Sequence, residues 1–419
     1  MLLLHRLETR RKQKLLFEQH LQLLEQLRFD HDKNILLQRA QRRHVIDSVG
    51  EHFIVPNWIV SEVELNFRRK GDFQRTGLTL ITHCSLSRFH YILQLQRLFD
   101  GPISLAVFAL VQHIPLLVEL VALIRKCHPY VRHNTTFHLV FPLNSEDVNV
   151  TQQFVFSHVT ECDQLTSRLE EARFQRQEGH FYGEQKDVLY PNNLLRNVAR
   201  LNSHTSHILM MDIDLIPSNQ LQGNFLNFLY QTLKHSNEFV ADWSSSKEEK
   251  TVFVLPTYEI AHKNIKKPPR TKRQLLVAIG IGTARPFYAA ICRKCQMYTE
   301  YEKWQTLPVE GGELSIGYEV QWRDPWEPFY IAPNIPSVPL YDERFRQYGF
   351  NRISQVCELH VAGFRFFIFK NAFLLHQGWK VQNGFHTGKD LELERNRLFF
   401  RQFKNELKLK YPDSERRCY

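Results

Sequence analysis

Nowhere do the 419 residues hold the run of about 20 apolar residues that a membrane-crossing helix needs. The most apolar stretch, Ile103 to Ile124, is broken by Gln112, His113, Pro115 and Glu119, and it reads as core. The opening MLLLHRLETRRKQK is far short of the roughly 7–15 apolar residues of a signal-peptide core, so no targeting signal is visible. Zinc is disfavoured as well, because Cys292-Arg293-Lys294-Cys295 has no second Cys-x-x-Cys and no nearby His pair to complete a site. A local disulfide or buried thiols fit better, and seven cysteines leave at least one unpaired.

Glycine and proline are also missing before Gly50. Residues 1–48 are rich in Leu, Gln, Arg, Lys and Glu, with Leu16, Leu23 and Leu27 at helical spacing, which predicts an exposed amphipathic helix serving as a basic stem. Residues 49–75 read as a linker and entry segment, and 76–419 as one larger domain.

With 43% hydrophobic and 23% charged residues the chain is a folded protein, not a disordered or collagen-like one. The 54 Lys and Arg exceed the 44 Asp and Glu, giving +10 and a pI near 9.2. That surplus favours anionic partners such as nucleotide phosphates or acidic sugars. Nucleic acid is not expected, since no recognition module is present. The sequons Asn134-Thr135-Thr136 and Asn149-Val150-Thr151, in what reads as a loop, point with the cysteines to the secretory pathway.

From Thr76 onward short apolar runs alternate with helical ones. Strands are expected at Leu78–Cys84, Ile103–Leu110, Phe137–Phe141 and His204–Met211, with helices at Arg88–Phe99 and Pro115–Cys127. This order predicts an α/β fold with a mostly parallel central sheet and a ligand at the strands' carboxyl ends.

The strand His207-Ile208-Leu209-Met210-Met211 delivers Asp212-Ile213-Asp214 into a loop. Carboxylates at i and i+2 share one side of an extended chain, and two of them in an apolar setting call for a cation of the Mn²⁺ or Mg²⁺ kind. Such a pair can also arise by chance, one Asp capping the next turn, but placement at a strand end argues for the metal. An Asp-nucleophile phosphohydrolase would carry the motif after its first strand, whereas here it lies mid-chain before Leu215-Ile216-Pro217.

YPNNLLRNVAR (Tyr190 to Arg200) before ILMMDIDLIPS resembles nucleotide-sugar transferases with the single α/β domain called GT-A. DPWEPFYIA (Asp324 to Ala332), YDERFRQYGFNRISQVCELHVAGF (Tyr341 to Phe364), FLLHQGWK (Phe373 to Lys380) and FRQFKNELKLKYPDSERRC resemble glycosyltransferase family 49, over roughly Thr76 to Cys418. The resemblance implies inverting transfer of glucuronic acid from UDP-glucuronate to a β-xylose acceptor in O-mannosyl glycan (matriglycan primer) synthesis. It also implies Mn²⁺, with Mg²⁺ as substitute, and a type II membrane protein of the Golgi lumen working beside other Golgi glycosyltransferases. The expected anchor is not in this sequence. A family member with another UDP-sugar donor, or an inactive scaffold, is the alternative, and intact Asp212, Asp214 and His376 stand against the scaffold.

Within that resemblance His376 is the expected third metal ligand beside Asp212 and Asp214, a hydrogen-bonded surface histidine being the competing role. Asn193, Arg196 and Asn197, three and four residues apart, share a helix face that can meet the donor, Arg196 pairing with phosphate or carboxylate. Thr82, His83 and Ser85 end the first strand where uracil and ribose would bind. For the base that inversion requires, Asp342 is preferred by family pattern with Glu343 beside it, and Asp324 and Glu327 are rivals. Capping of a following helix is the competing role of Asp342. Of Trp322, Trp326, Phe329 and Tyr330, Trp326 is expected to touch the acceptor sugar, and Phe399, Phe403 and Leu407 to pack the last helix.

Overall fold

Short β-branched and aromatic runs make fourteen strands among the described residues of the computed structural model, which are 2–42, 45–69, 76–143, 161–178, 189–235, 250–261, 267–309, 313–381 and 388–418. In chain order they are β1 (Val45–Ile46), β2 (His52–Ile59), β3 (Leu78–Ser85), β4 (Ile103–Phe108), β5 (Thr135–Pro142), β6 (His207–Met210) and β7 (Leu215–Pro217). There follow β8 (Thr251–Leu255), β9 (Thr257–Ile260), β10 (Ala284–Pro286), β11 (Ile316–Val320), β12 (Phe329–Pro333), β13 (Arg365–Phe369) and β14 (Leu374–Gln377). Ten form one sheet, β1-β2-β5-β4-β3-β6-β12-β8-β13-β11, and four a smaller one, β10-β9-β14-β7.

At the centre of the large sheet β5-β4-β3-β6 run parallel, while β2 and β12 add antiparallel strands on either side. The chain moves from β3 outward to β4 and β5, then returns to lay β6 on the other side of β3. Strand order therefore reverses between β3 and β6, and a crevice opens at their carboxyl ends, where open α/β sheets take ligands.

Side-chain alternation feeds two cores. Leu78, Leu80 and Cys84 of β3 face the layer containing the helix Ile114–Cys127, while Ile81, Ile208 and Met210 face the helix Asn192–Leu201. That second helix is buried almost all round, and its polar residues survive by bonding backbone: Arg200 donates to the carbonyls of Pro339 at 2.8 Å and Val338 at 2.7 Å.

The N-terminal helix spans Leu2–Arg42 and is exposed only in part. Leu23 and Leu27 are over half exposed, but Phe29, Leu36 and Ala40 are buried against Ile114–Cys127. Asp32 pairs with Arg125 at 2.8 Å, and Trp58 Nε1 donates to the Leu36 carbonyl at 2.6 Å. The buried positions are thus seven and eleven residues on from Phe29, not the leucines whose spacing first suggests a face. Phe403 and Leu407 of the last helix, Lys389–Lys410, are buried, while Phe399 packs on that core only part-buried.

Disulfides join Cys127–Cys162, Cys292–Cys295 and Cys357–Cys418, and Cys84 remains a buried thiol. Asn134 is not in a loop: it closes the helix Pro129–Asn134 directly before β5, and its sequon partner Thr136 is buried against Ser61. Asn149 lies outside the described residues.

Candidate active site

Between Met210, the last residue of β6, and Leu215, the first of β7, the chain steps from the large sheet to the small one, and this step carries Asp212 and Asp214. Antiparallel pairing of β7 with β14 sets His376 opposite Leu215, one residue from Asp214. As a result His376 Nε2 stands 3.4 Å from Asp214 Oδ2. The other ring nitrogen, Nδ1, is 2.8 Å from the Gly378 carbonyl and must donate to it, which turns Nε2 toward the carboxylate. Lys380 Nζ lies 3.7 Å from the same oxygen.

A cavity of about 560 Å³ opens in front of this step. The end of β3 contributes His83, Cys84 and Ser85; the helix Asn192–Leu201 contributes Asn192 and Arg196; the helix Asn351–Val361 contributes Asn351, Arg352 and Ile353; and the Cys292–Cys295 loop closes one wall. Its charged lining comprises five cations, Arg88, Arg196, Arg352, Lys380 and Lys389, against the carboxylates Asp212, Asp214, Glu327 and Asp390.

Arginines hold the first carboxylate from both sides. Arg196 Nη2 reaches Asp212 Oδ1 at 3.1 Å and Arg352 Nη1 reaches Oδ2 at 3.2 Å, while Arg352 Nη2 donates to Glu327 Oε1 at 3.0 Å. The Arg352 guanidinium also lies over the Phe329 ring, 4.3 Å from its centroid. Burial pushes the Asp212 carboxyl up, but Arg352 and Arg196 outweigh it and hold the group below its usual range. Burial likewise opposes ionisation of Asp214, and Lys380 with His376 overcomes it, leaving that carboxyl well below the usual range. Burial, with Arg196 behind it, lowers His83 to about 3, so its ring is neutral; Nδ1 lies 2.8 Å from the Tyr190 hydroxyl, and Nε2 has no hydrogen-bond partner among the described residues.

A crevice at the switch point, two strand-end carboxylates and a surplus of cations suit a nucleotide diphosphate. The family profile for glycosyl-transferases acting for dystroglycan matches residues 77–412. The chain belongs to that family. β-1,4-Glucuronyltransferase 1 of Danio rerio is 39% identical over 383 residues, covering 89% of this chain and 83% of the relative. The human protein of that name is 39% identical over 377 residues with the same coverage. The xylosyl- and glucuronyltransferase LARGE2s of Gallus gallus is 29% identical over 188 residues, 45% of this chain and 22% of the relative. Among solved structures, S. aureus TarS overlaps loosely, with a TM-score of 0.36 at 8% identity, covering 81% of this chain and 40% of that one.

In this glycosyltransferase His83, Ser85, Arg196, Asp212 and Asp214 come together at the cavity, with His376 one layer behind Asp214 against the Phe287 ring. Other expected residues do not join them. Thr82 points to the opposite face of β3 from His83 and Ser85, as alternation dictates, and is buried. Asn193 is wholly buried and orients Arg196, whose Nη1 donates to its Oδ1 at 3.0 Å; Asn197 is spent on the Tyr341 carbonyl at 2.8 Å and Glu343 Oε1 at 2.9 Å. Asn192 takes their place at the cavity wall.

Trp326 does not line the cavity. It has no exposed area, its Nε1 donates to Thr299 Oγ1 at 3.0 Å, and Trp322, Phe329 and Tyr330 are buried with it. Asp342 and Glu343 lie in a separate shallow concavity with Ile46 and Leu201. Asp342 accepts from the Arg344 backbone N–H at 3.0 Å and from its guanidinium at 2.6 Å, closing a turn, and no helix begins until Asn351, so it caps none. Asp324 is half-buried outside the cavity, and of the expected base candidates only Glu327 lines it.

Arg352, Lys380, Tyr190 and Tyr288 are site residues that sequence reasoning missed. Lys380 lies four residues after His376 in the same motif, which is a usable signal. Arg352 in NRISQ carries none, because its role depends on where a distant helix end docks.

Proposed function

We propose that this glycosyltransferase moves glucuronic acid from UDP-glucuronate to a β-xylose-terminated glycan, inverting the anomeric carbon, as a step in O-mannosyl glycan synthesis. The observation that carries the reading is the five-cation cavity around Asp212 and Asp214, taken with 39% identity to proteins named for β-1,4-glucuronyl transfer. A donor with a diphosphate and a uronate carboxylate brings more negative charge than other common UDP-sugars, and five cations against four carboxylates, joined by a divalent cation, would offset part of it. Residues 1–48 are read as the stem and 76–419 as the catalytic unit. Three disulfides support an oxidising compartment, the Golgi lumen. Among the described residues no helix is long and apolar enough to cross a membrane.

A divalent cation fits Asp214 and His376. Their donor atoms face each other, and the Gly378 carbonyl fixes the tautomer that a metal-binding histidine needs. No three His, Cys, Asp or Glu side chains gather as a complete site among the described residues, so donor phosphate oxygens would supply further ligands. Mn²⁺ or Mg²⁺ there would neutralise the departing diphosphate. Arg196 and Arg352 orient Asp212 and add positive charge where the leaving group develops its negative charge.

The test is turnover of a panel of UDP-sugars on a β-xyloside acceptor, with and without Mn²⁺. The expected result is fastest transfer from UDP-glucuronate, lost on chelation. Equal or faster use of UDP-xylose or UDP-N-acetylglucosamine would overturn the donor assignment.

A further inference from the structure

Displacement with inversion needs a group that takes the acceptor's proton, and with Asp342 and Glu343 outside the cavity the position stands open. We propose that Glu327 is that general base, an inference that rests on the glycosyl-transfer reading above. In the step it serves, the acceptor hydroxyl oxygen bonds to the donor's anomeric carbon. The bond from that carbon to the diphosphate oxygen breaks, its electron pair leaves with UDP, and the hydroxyl proton passes to the Glu327 carboxylate.

Four carboxylates line the cavity among the described residues, and three have other occupations or the wrong setting. Asp212 is clasped by two arginines, and Asp214 faces His376 and Lys380. Asp390 is exposed in the first turn of the helix Lys389–Lys410, open to bulk water. Glu327 is 7% exposed and differently held. Its Oε1 accepts from Arg352 Nη2 at 3.0 Å, and Oε2 receives no hydrogen bond from any described residue. One oxygen is thus pinned and the other is available to a hydroxyl.

Arg352 spans Glu327 and Asp212 with the two arms of one guanidinium, which sets Glu327 beside Asp212 yet separate from it. The backbone is fixed too: the Glu327 N–H donates to the Cys295 carbonyl at 2.9 Å, and Gln296 Nε2 donates to the Glu327 carbonyl at 3.1 Å. Such anchoring on both sides is what a preorganised proton acceptor requires. Burial raises the carboxyl above its usual range against the pull of Arg352, which makes it a stronger base than a surface glutamate. The groups that face it are Arg352, Asp212 and Arg196.

Glu327→Gln keeps the shape and removes the proton acceptor. Turnover should fall by about 10²–10⁴-fold, with UDP affinity by calorimetry within about twofold of wild type. Turnover within a few-fold of wild type would overturn the proposal, and so would a parallel loss of turnover and UDP affinity, which would make Glu327 a support for Arg352. Should Glu327→Gln fail to fold, Glu327→Asp keeps the charge that balances Arg352 and draws the carboxylate back by one methylene. A base predicts a turnover loss of about 10²-fold with melting unchanged, whereas a purely charge-balancing role predicts near-wild-type turnover. If wild type uses a UDP-sugar other than UDP-glucuronate, the donor reading is at fault, and both variants are then assayed on the sugar it does use.

Discussion

Partial burial of the Asp214 carboxyl would by itself favour the protonated form; Lys380 and His376 reverse that and leave an anion facing the cavity. Asp214→Asn keeps the shape and removes the anion, so sugar transfer should drop by about 10²-fold or more while the melting temperature moves little. Transfer near the wild-type rate would exclude Asp214 from the chemistry. At His138 the opposite balance holds, for burial lowers it from 6.5 to about 3. Its Nδ1 accepts from the Asn57 N–H and its Nε2 bonds Ser104 Oγ, both at 2.8 Å, so no site is left for a second proton. A depressed histidine stabilises the fold fully above about pH 6.5, and this contribution is lost as pH falls toward about 3, because only the unfolded chain takes up the proton there. Urea denaturation at pH 7 and pH 5 should show lower stability at pH 5, with a slope of up to about 1.4 kcal/mol per pH unit from this residue.

Among the elements, the N-terminal helix divides into two parts. Deleting residues 2–27 should leave melting nearly unchanged, since Leu15, Leu21, Leu23, Leu24 and Leu27 are exposed. Deleting 2–42 removes Phe29, Leu36 and the Asp32–Arg125 pair from the core and should cost several kcal/mol, readable as a large fall in the melting midpoint. Equal midpoints for the two truncations would refute the division. Strands β3, β4, β5 and β6 were legible in the sequence because each is an apolar run with clear ends, and the placement of Asp212 and Asp214 followed from β6 alone. The antiparallel strand β12 was not legible as a neighbour of β6, since that pairing joins segments over a hundred residues apart. The same non-locality hid Arg352 and misled on Asp342: YDERF shows a carboxylate before polar residues, and only the docked chain reveals that Arg344 closes it into a turn. Trp326 misled because an aromatic cluster that packs inward reads the same in sequence as one that faces a sugar.

For the molecule as a whole, the chain's end is stitched back to the helix Asn351–Val361, which carries Arg352, by Cys357–Cys418, closing a loop with a sequence separation of 61. By chain-entropy reasoning that cross-link is worth about 4 kcal/mol, so Cys418→Ser should lower the melting midpoint markedly, and an unchanged midpoint would show the bond to be ornamental. The short Cys292–Cys295 loop has a different consequence. It forms part of the cavity wall, and its carbonyl at Cys295 holds the Glu327 backbone, so the disulfide constrains the turn that anchors this side of the site. The four-residue ring thus works as a clasp, fixing the turn from which the Cys295 carbonyl reaches the Glu327 N–H.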